Sequence, residues 1–134
     1  MRLTSVQSDR VGGILLGQAI GDALGVPYEF GPRIQPGQAQ MVGGGLGPYA
    51  PGEWSDDTQM AICIARVTAS GSFGGGDTLR AIAEAFVYWK DHGASDIGAQ
   101  TASVLGRAHP RWGELLSTML QASEQAAADD RAGN

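Results

Sequence analysis

The sequence has few of the residues on which several classes of protein depend. Among its 134 residues there is one cysteine, Cys63, so no internal disulfide can form and a reducing compartment is favoured. No run approaches the roughly 20 apolar residues of a membrane span, and Gln18 and Asp22 interrupt the apolar stretch that begins at Val11. We therefore expect a cytoplasmic protein that has no membrane partner.

Positive charge is also scarce. The chain has 9 lysines and arginines against 14 aspartates and glutamates, a net charge of −5, and the basic residues do not cluster. This balance argues against binding to a nucleic-acid backbone or an anionic membrane. An acidic chain can still bind an anionic ligand, provided that a cation or helix N-termini assist. With 43% hydrophobic and 17% charged residues, the composition is that of a globular domain.

Alternating strand patterns are missing, and the apolar periodicity predicts helices instead. The spacing predicts helices over residues 9–25, with Asp9 as N-cap, then over 56–69 and 77–89, a fourth that begins near Asp96 and a fifth over about 112–128. Residues 31–52 are rich in glycine and proline and predict a long loop. The expected architecture is all-α, with one domain and no repeats.

Glycines recur every four residues in the first predicted helix, at 13, 17, 21 and 25. This spacing places them along one stripe of the helix. Each interior glycine costs roughly 1 kcal/mol relative to alanine. A close approach by another backbone or by a ligand is the usual compensation, and the stripe predicts one here.

Acidic residues are concentrated where the long loop meets the second predicted helix, in Ser55-Asp56-Asp57-Thr58. One interpretation is structural, because serine is a favoured N-cap and acids in a first turn complement the helix dipole. The other is a hard-cation site, because two carboxylates and a hydroxyl offer oxygen ligands that suit Mg²⁺ or Mn²⁺. The motif alone leaves both interpretations open.

Two further acids have the same ambiguity. Glu29 lies between Tyr28 and Phe30 just past the first predicted helix, and it is either a surface acid or a partly desolvated general base or metal partner. Asp22 lies in that helix, either as a solvated residue or as part of a site. Cys63 lies in an apolar run that favours an inert buried thiol.

Three blocks of sequence, taken together, resemble the ADP-ribosylglycohydrolase family. They are GQAIGDALGVPYEF at 17–30, WSDDTQM at 54–60 and DIGAQT at 96–101. They occur in the family's order, span most of the chain, and the first two are long enough to be specific.

The resemblance implies an all-α orthogonal helical bundle with two Mg²⁺ or Mn²⁺ ions in a cleft. It implies hydrolysis of the glycosidic bond between ADP-ribose and a modified protein side chain or a related ADP-ribosyl acceptor. By position, the expected roles are Glu29 as the catalytic acid near the metals, Ser55, Asp56 and Asp57 as metal ligands, Asp96 as a substrate contact, and Asp22 as a supporting group behind the ligands.

The C-terminal part of the family pattern is not matched. The family's second ligand block, Asp-x-Asp-Thr, has no counterpart here, and Gly133 and Asn134 resemble the start of its Gly-Asn-Gly substrate loop. We therefore expect residues 1–134 to be the N-terminal part of a single truncated domain, which a second chain or dimer could complete.

Two alternatives remain open. In the first, the chain is a non-catalytic helical module that keeps the fold for binding or assembly with an incomplete metal site. In the second, it is an unrelated helical domain in which Ser55-Asp56-Asp57 only caps a helix.

Overall fold

The regular structure of the chain is helical. The computed structural model describes residues 3–71, 74–108 and 114–130. Its helices are α1 (Ser5–Gly25), a 3₁₀ helix (Val26–Tyr28), α2 (Asp56–Ala69), α3 (Gly76–His92), α4 (Ala99–Arg107) and α5 (Leu115–Ala128). Within the described ranges the extended structure amounts to an isolated bridge between Gly44 and Tyr49. The all-α prediction is confirmed.

Helix α1 begins earlier than its predicted N-cap, Asp9. Thr4 is the N-cap: its side chain accepts a hydrogen bond from the backbone N–H of Gln7, whose side chain in turn accepts one from the Thr4 N–H. This reciprocal arrangement is a capping box, which satisfies backbone donors that a helix start otherwise leaves without partners. The prediction of Asp9 as N-cap was wrong because Thr-x-x-Gln, one turn upstream, competes for the helix start.

The chain divides into two compact units, residues 1–61 and residues 62–134, with the boundary inside α2. The first unit has a small core that includes Ala23, Val26 and Tyr49. In the second unit α3, α4 and α5 pack against one another, and Ala83, Trp89, Leu105 and Ala122 are buried there. The prediction of one domain over 1–134 stays a prediction.

The long loop of the first unit contacts the 3₁₀ helix that follows α1. The Tyr28 hydroxyl accepts a hydrogen bond from Gln40 N at 3.0 Å and donates one to Gln40 O at 3.3 Å. Gly45 has a φ of +83°, and a Cβ there would meet the Val26 carbonyl oxygen at 2.2 Å. Glycine at 45 is therefore required both by its dihedral angles and by the close approach of the 3₁₀ helix.

The glycines of α1 have no such requirement in this structure. Apart from the helix's own backbone, no atom of the residues that the structure describes would lie within 4 Å of a Cβ built at Gly13, Gly17, Gly21 or Gly25. The close approach that was predicted along this stripe is therefore not observed among the described residues.

No helix among the described residues has the length and apolar character needed to cross a bilayer.

Candidate functional site

The candidate site is built on the first turn of α2. Ser55 immediately precedes the helix and is buried, with 8% of its surface exposed, while Asp56 and Asp57 occupy the first turn. The helix begins here because the Ser55 carbonyl accepts the first α-helical bond, from Gln59 N at 3.2 Å. Ser55 thus occupies the N-cap position that the sequence predicted.

Asp22, however, caps this helix start. One carboxylate oxygen of Asp22 accepts hydrogen bonds from Ser55 N at 3.0 Å and from Ser55 Oγ at 2.7 Å. The other accepts bonds from Ser55 N and Thr58 N, both at 3.0 Å. An N-cap serine normally accepts the amide hydrogen three residues on, whereas the Thr58 amide is taken by Asp22 and Ser55 Oγ acts as a donor. The prediction of a helix start was right, but the residue that caps it was misassigned.

Asp22 and Asp57 have pKa values that are shifted in opposite directions. Partial burial would raise the pKa of Asp22, but hydrogen bonds from Thr58 and Ser55 outweigh it and hold that pKa below its usual value. Desolvation raises the pKa of Asp57, and the nearby charges of Asp56 and Asp22 raise it further. The arrangement therefore concentrates negative charge at Asp57, where a cation would be stabilising.

A second residue of α1 also contacts this turn. Gln18 Nε2 donates a hydrogen bond of 3.1 Å to the Asp57 carbonyl oxygen. Gln18 and Asp22 are four residues apart on α1, so they lie on one face of that helix. Gln18 was not predicted as a site residue, although its i, i+4 spacing from Asp22 is visible in the sequence.

Glu29 also belongs to the first unit. It follows the 3₁₀ helix as its C-cap, with φ −59° and ψ 129°, and its side chain is exposed. The next residue, Phe30, has a φ of +54° and is 88% exposed. A left-handed aromatic residue is uncommon and carries a conformational cost. The assignment of Glu29 as a catalytic acid stays a prediction.

The remaining predicted residues lie elsewhere in the chain. Asp96 belongs to the second unit, is half-buried just before α4, and accepts a 2.8 Å hydrogen bond from the Ile97 amide through Oδ1. Gly133 and Asn134 lie outside the described residues. The structure therefore brings Asp22, Ser55 and the first turn of α2 together, and leaves the substrate-contact predictions as predictions.

The first turn of α2 fits a hard cation in its chemistry but supplies only part of a coordination shell. Its candidate donors are all oxygen atoms, which Mg²⁺ and Mn²⁺ prefer. Thr58 Oγ1 is buried there and makes no hydrogen bond within the described part of the chain, so the contact from Thr58 to Asp22 is the one made by its backbone N–H. Among the described residues, no group of three or more acidic, histidine or cysteine side chains is arranged to hold a metal.

Cys63, which the sequence predicted to be an inert buried thiol, is less buried than expected. It is half-buried in α2, and its Sγ lies 3.8 Å from the Ala85 carbonyl oxygen. Burial raises the pKa of the Cys63 thiol, which lowers the fraction of reactive thiolate. A nucleophilic role for this cysteine is disfavoured.

Comparison with known proteins gives one consistent result. The chain is 44% identical over 93 residues to the ADP-ribosylarginine hydrolase Tri1 of Pseudomonas putida (strain GB-1), an alignment covering 69% of this chain and 24% of that protein. It is 40% identical over 104 residues to Tri1 of Serratia proteamaculans (strain 568), covering 72% and 28%. It is 35% identical over 96 residues to the ADP-ribosyl-[dinitrogen reductase] glycohydrolase of Rhodospirillum rubrum, covering 67% and 31%.

The chain thus spans between about a quarter and a third of the length of these relatives. No solved structure shows a significant match to it. The family model described as ADP-ribosylglycohydrolase matches residues 3–134, which is nearly the whole sequence. The motifs at 17–30 and 54–60 lie within that match, and they are the segments that Asp22 joins through Ser55. The chain belongs to the ADP-ribosylglycohydrolase family.

Proposed function

We propose that this chain supplies one half of a metal-dependent glycohydrolase site that cleaves ADP-ribose from a modified side chain. The observation that carries the proposal is the first turn of α2, where Asp56 and Asp57 follow a buried serine whose hydroxyl is held by Asp22. Family membership supplies the reaction class, and the oxygen donors of this turn supply the chemistry for a cation.

In this proposal Ser55, Asp56 and Asp57 hold Mg²⁺ or Mn²⁺, and further ligands come from outside the described residues. When bound, the cations would neutralise the acids and hold the ribose hydroxyls, which lets an acidic protein accept a pyrophosphate ligand. With a net charge of −5, the chain would bind an anionic substrate more readily once its acids are neutralised in this way.

Glu29 is the proposed general base. It would take a proton from a water molecule whose oxygen forms a new bond to the anomeric carbon of the ribose, while the bond from that carbon to the side-chain nitrogen breaks. The departing nitrogen takes up a proton. The Glu29 carboxylate is exposed beside Phe30, which has a φ of +54°, and is therefore accessible to substrate.

We infer that the acceptor is arginine. The first two relatives are both named ADP-ribosylarginine hydrolases, at 44% and 40% identity. Because a single family can act on several linkages, the substrate class requires its own test, with ADP-ribosylarginine compared with ADP-ribosylserine.

Metal binding by the 134-residue chain is the experiment that tests the site directly. Mn²⁺ would be titrated and the free ion followed by electron paramagnetic resonance. We expect binding by the wild type, loss of binding in Asp56→Ala, and no change in Asp77→Ala, which alters an exposed acid in the first turn of α3. Wild-type protein that binds no Mn²⁺, or an Asp56→Ala variant with unchanged affinity, would refute the site.

A second candidate function, a binding or assembly module without catalysis, is favoured by the surface of α1. Large apolar side chains are exposed around this helix, with Ile14 at 68% and Leu16 at 65%. The full set on α1 is Val6, Val11, Ile14, Leu15, Leu16 and Ile20. Exposed apolar patches of this kind mark interaction surfaces.

In the catalytic proposal this surface is covered by the rest of the family domain, supplied by the same or a second chain. In the module proposal it is covered by another partner, and no ADP-ribose is released. The chain would be incubated with ADP-ribosylarginine and Mn²⁺. Release of ADP-ribose by the 134 residues alone would contradict both the module proposal and the expectation of an incomplete site.

A further inference from the structure

Asp22 occupies a position that α1 itself does not favour. It lies in the last turn and a half of Ser5–Gly25, where the negative end of the helix dipole repels a carboxylate, and no basic residue in the last turn compensates. The same carboxylate lies at the start of α2, where the positive end of that helix dipole attracts it. The electrostatic benefit of Asp22 therefore falls on α2.

The hydrogen bonds at this point replace a capping box. In a capping box the N-cap side chain accepts the amide hydrogen of the third helical residue, and the side chain of that residue accepts the N-cap amide hydrogen. Here Asp22 accepts both, from Thr58 N and from Ser55 N, each at 3.0 Å. One side chain from another helix thus performs both halves of the cap.

This replacement changes what Ser55 Oγ can do. Its hydrogen is directed to Asp22 Oδ1 at 2.7 Å, and the Thr58 amide does not take its lone pairs. A hydroxyl with its hydrogen fixed presents its remaining lone pairs away from that bond. Charge assistance from the carboxylate also makes the oxygen a better acceptor.

We propose that Asp22 is a positioning residue that caps α2 in place of Ser55 and thereby orients the Ser55 hydroxyl oxygen to serve as a cation ligand. The capping half of this inference stands on the geometry alone. The half that concerns the cation rests on the proposed function. A capping role and a ligand role for the Ser55-Asp56-Asp57 motif are therefore compatible, because they are carried by different residues.

The capping half is tested by amide hydrogen exchange of the 134-residue chain. We expect Asp22→Ala to lower the protection of the Thr58 amide by about tenfold, the size of a lost cap. Ser55→Ala should leave that protection nearly unchanged, because Ser55 Oγ does not accept from Thr58. Asp9→Asn changes an exposed acid on the same helix and is the matched control. Equal loss in Ser55→Ala and Asp22→Ala would overturn the proposal.

The orienting half is tested by Mn²⁺ affinity in a double-mutant cycle. Loss of a residue that orients a ligand typically weakens metal binding by about 10- to 100-fold, and we expect this from Asp22→Asn with the far-ultraviolet circular dichroism retained. If Asp22 acts through Ser55, the effects of Asp22→Asn and Ser55→Ala are not additive. Additive effects, or an Asp22→Asn variant that binds Mn²⁺ like the wild type, would show that Asp22 only supports the fold.

The two failures can be told apart. If the wild type binds no Mn²⁺, the proposed function fails and the orienting half falls with it, while hydrogen exchange still decides the capping half. If the wild type binds Mn²⁺ and the cycle shows no coupling, the proposed function stands and the inference about Asp22 fails.

Discussion

Gln18 Nε2 donates a hydrogen bond of 3.1 Å to the backbone carbonyl of Asp57, which lies 39 residues further along the chain. The amide of Gln18 thus anchors α1 to the turn that carries the candidate ligands. An intramolecular hydrogen bond of this kind contributes about 0.5–1.5 kcal/mol, and alanine recovers a few tenths through its higher helix propensity.

Gln18→Ala should therefore lower the free energy of unfolding by about 0.5–1 kcal/mol. Gln121→Ala is the matched control, because Gln121 is an exposed glutamine within α5. Urea unfolding of the two variants measures the difference. A Gln18→Ala variant no less stable than Gln121→Ala would show that this bond does not stabilise the unit.

In the absence of metal, the ionised Asp57 side chain should lower the stability of the folded chain. Desolvation and the charges of Asp56 and Asp22 raise its pKa, so its ionised form is disfavoured in the folded chain. Asp57→Asn removes that charge, and we expect a higher Tm than the wild type in chelator at pH 7.

Excess Mn²⁺ should reverse this order. A ligand at 100 times its Kd stabilises the folded state by about 2.7 kcal/mol, and the variant that lacks the ligand carboxylate would not gain it. Thermal scans of both proteins with EDTA and with Mn²⁺ provide the comparison. Equal stabilisation of both by Mn²⁺ would remove Asp57 from the ligand set.

Two glycine substitutions should have opposite effects. Gly45→Ala places a Cβ against the Val26 carbonyl oxygen at a φ of +83°, so we expect a loss of more than about 1 kcal/mol. The Cβ of Gly17→Ala would meet no described atom within 4 Å outside its own helix backbone, so this substitution should stabilise α1 by roughly 1 kcal/mol. Chemical denaturation measures both. If Gly17→Ala destabilises the chain, an atom outside the described structure approaches that stripe.

The contribution of Asp22 to stability should depend on pH in one direction. Its folded-state pKa is lowered, because hydrogen bonds from Thr58 and Ser55 outweigh desolvation. The stabilisation is therefore complete above the unfolded pKa of about 3.9 and is lost as the pH falls through the folded value.

The Tm difference between wild type and Asp22→Asn should accordingly be largest near neutral pH and should shrink below about pH 4. A series of thermal scans from pH 7 to pH 3 measures it. If the Tm difference stays constant or grows in acid, the ionised Asp22 carboxylate is not the form that stabilises the chain.

Local signals in the sequence were sufficient for the helices. Helix α2 has the predicted bounds, and α3 and α4 lie within a few residues of theirs, because apolar periodicity and breakers such as Gly93 and Gly98 act over short distances. The start of α1 could also have been found, since Thr4 and Gln7 form the Thr-x-x-Gln signature of a capping box.

The contacts that assemble the candidate site have no such local signal. Asp22 and Ser55 are 33 residues apart, and no spacing rule relates an acid near the end of one helix to the start of the next. Family resemblance named Asp22 as a supporting group but not its partners. The pairing depends on how residues 31–52 return the chain to α1, which composition does not encode.

The bond between Asp22 and Ser55 also has a consequence for folding. The first turn of α2 is capped by a carboxylate that belongs to α1, so this turn is not fully stabilised until the loop between the two helices has closed. Loop closure of this length is a non-local event with an entropic cost, whereas each helix forms locally. Asp56 and Asp57 are therefore positioned at the same time as the loop becomes ordered. A substitution at Gly45 or Tyr28 would slow formation of the site although neither residue belongs to it.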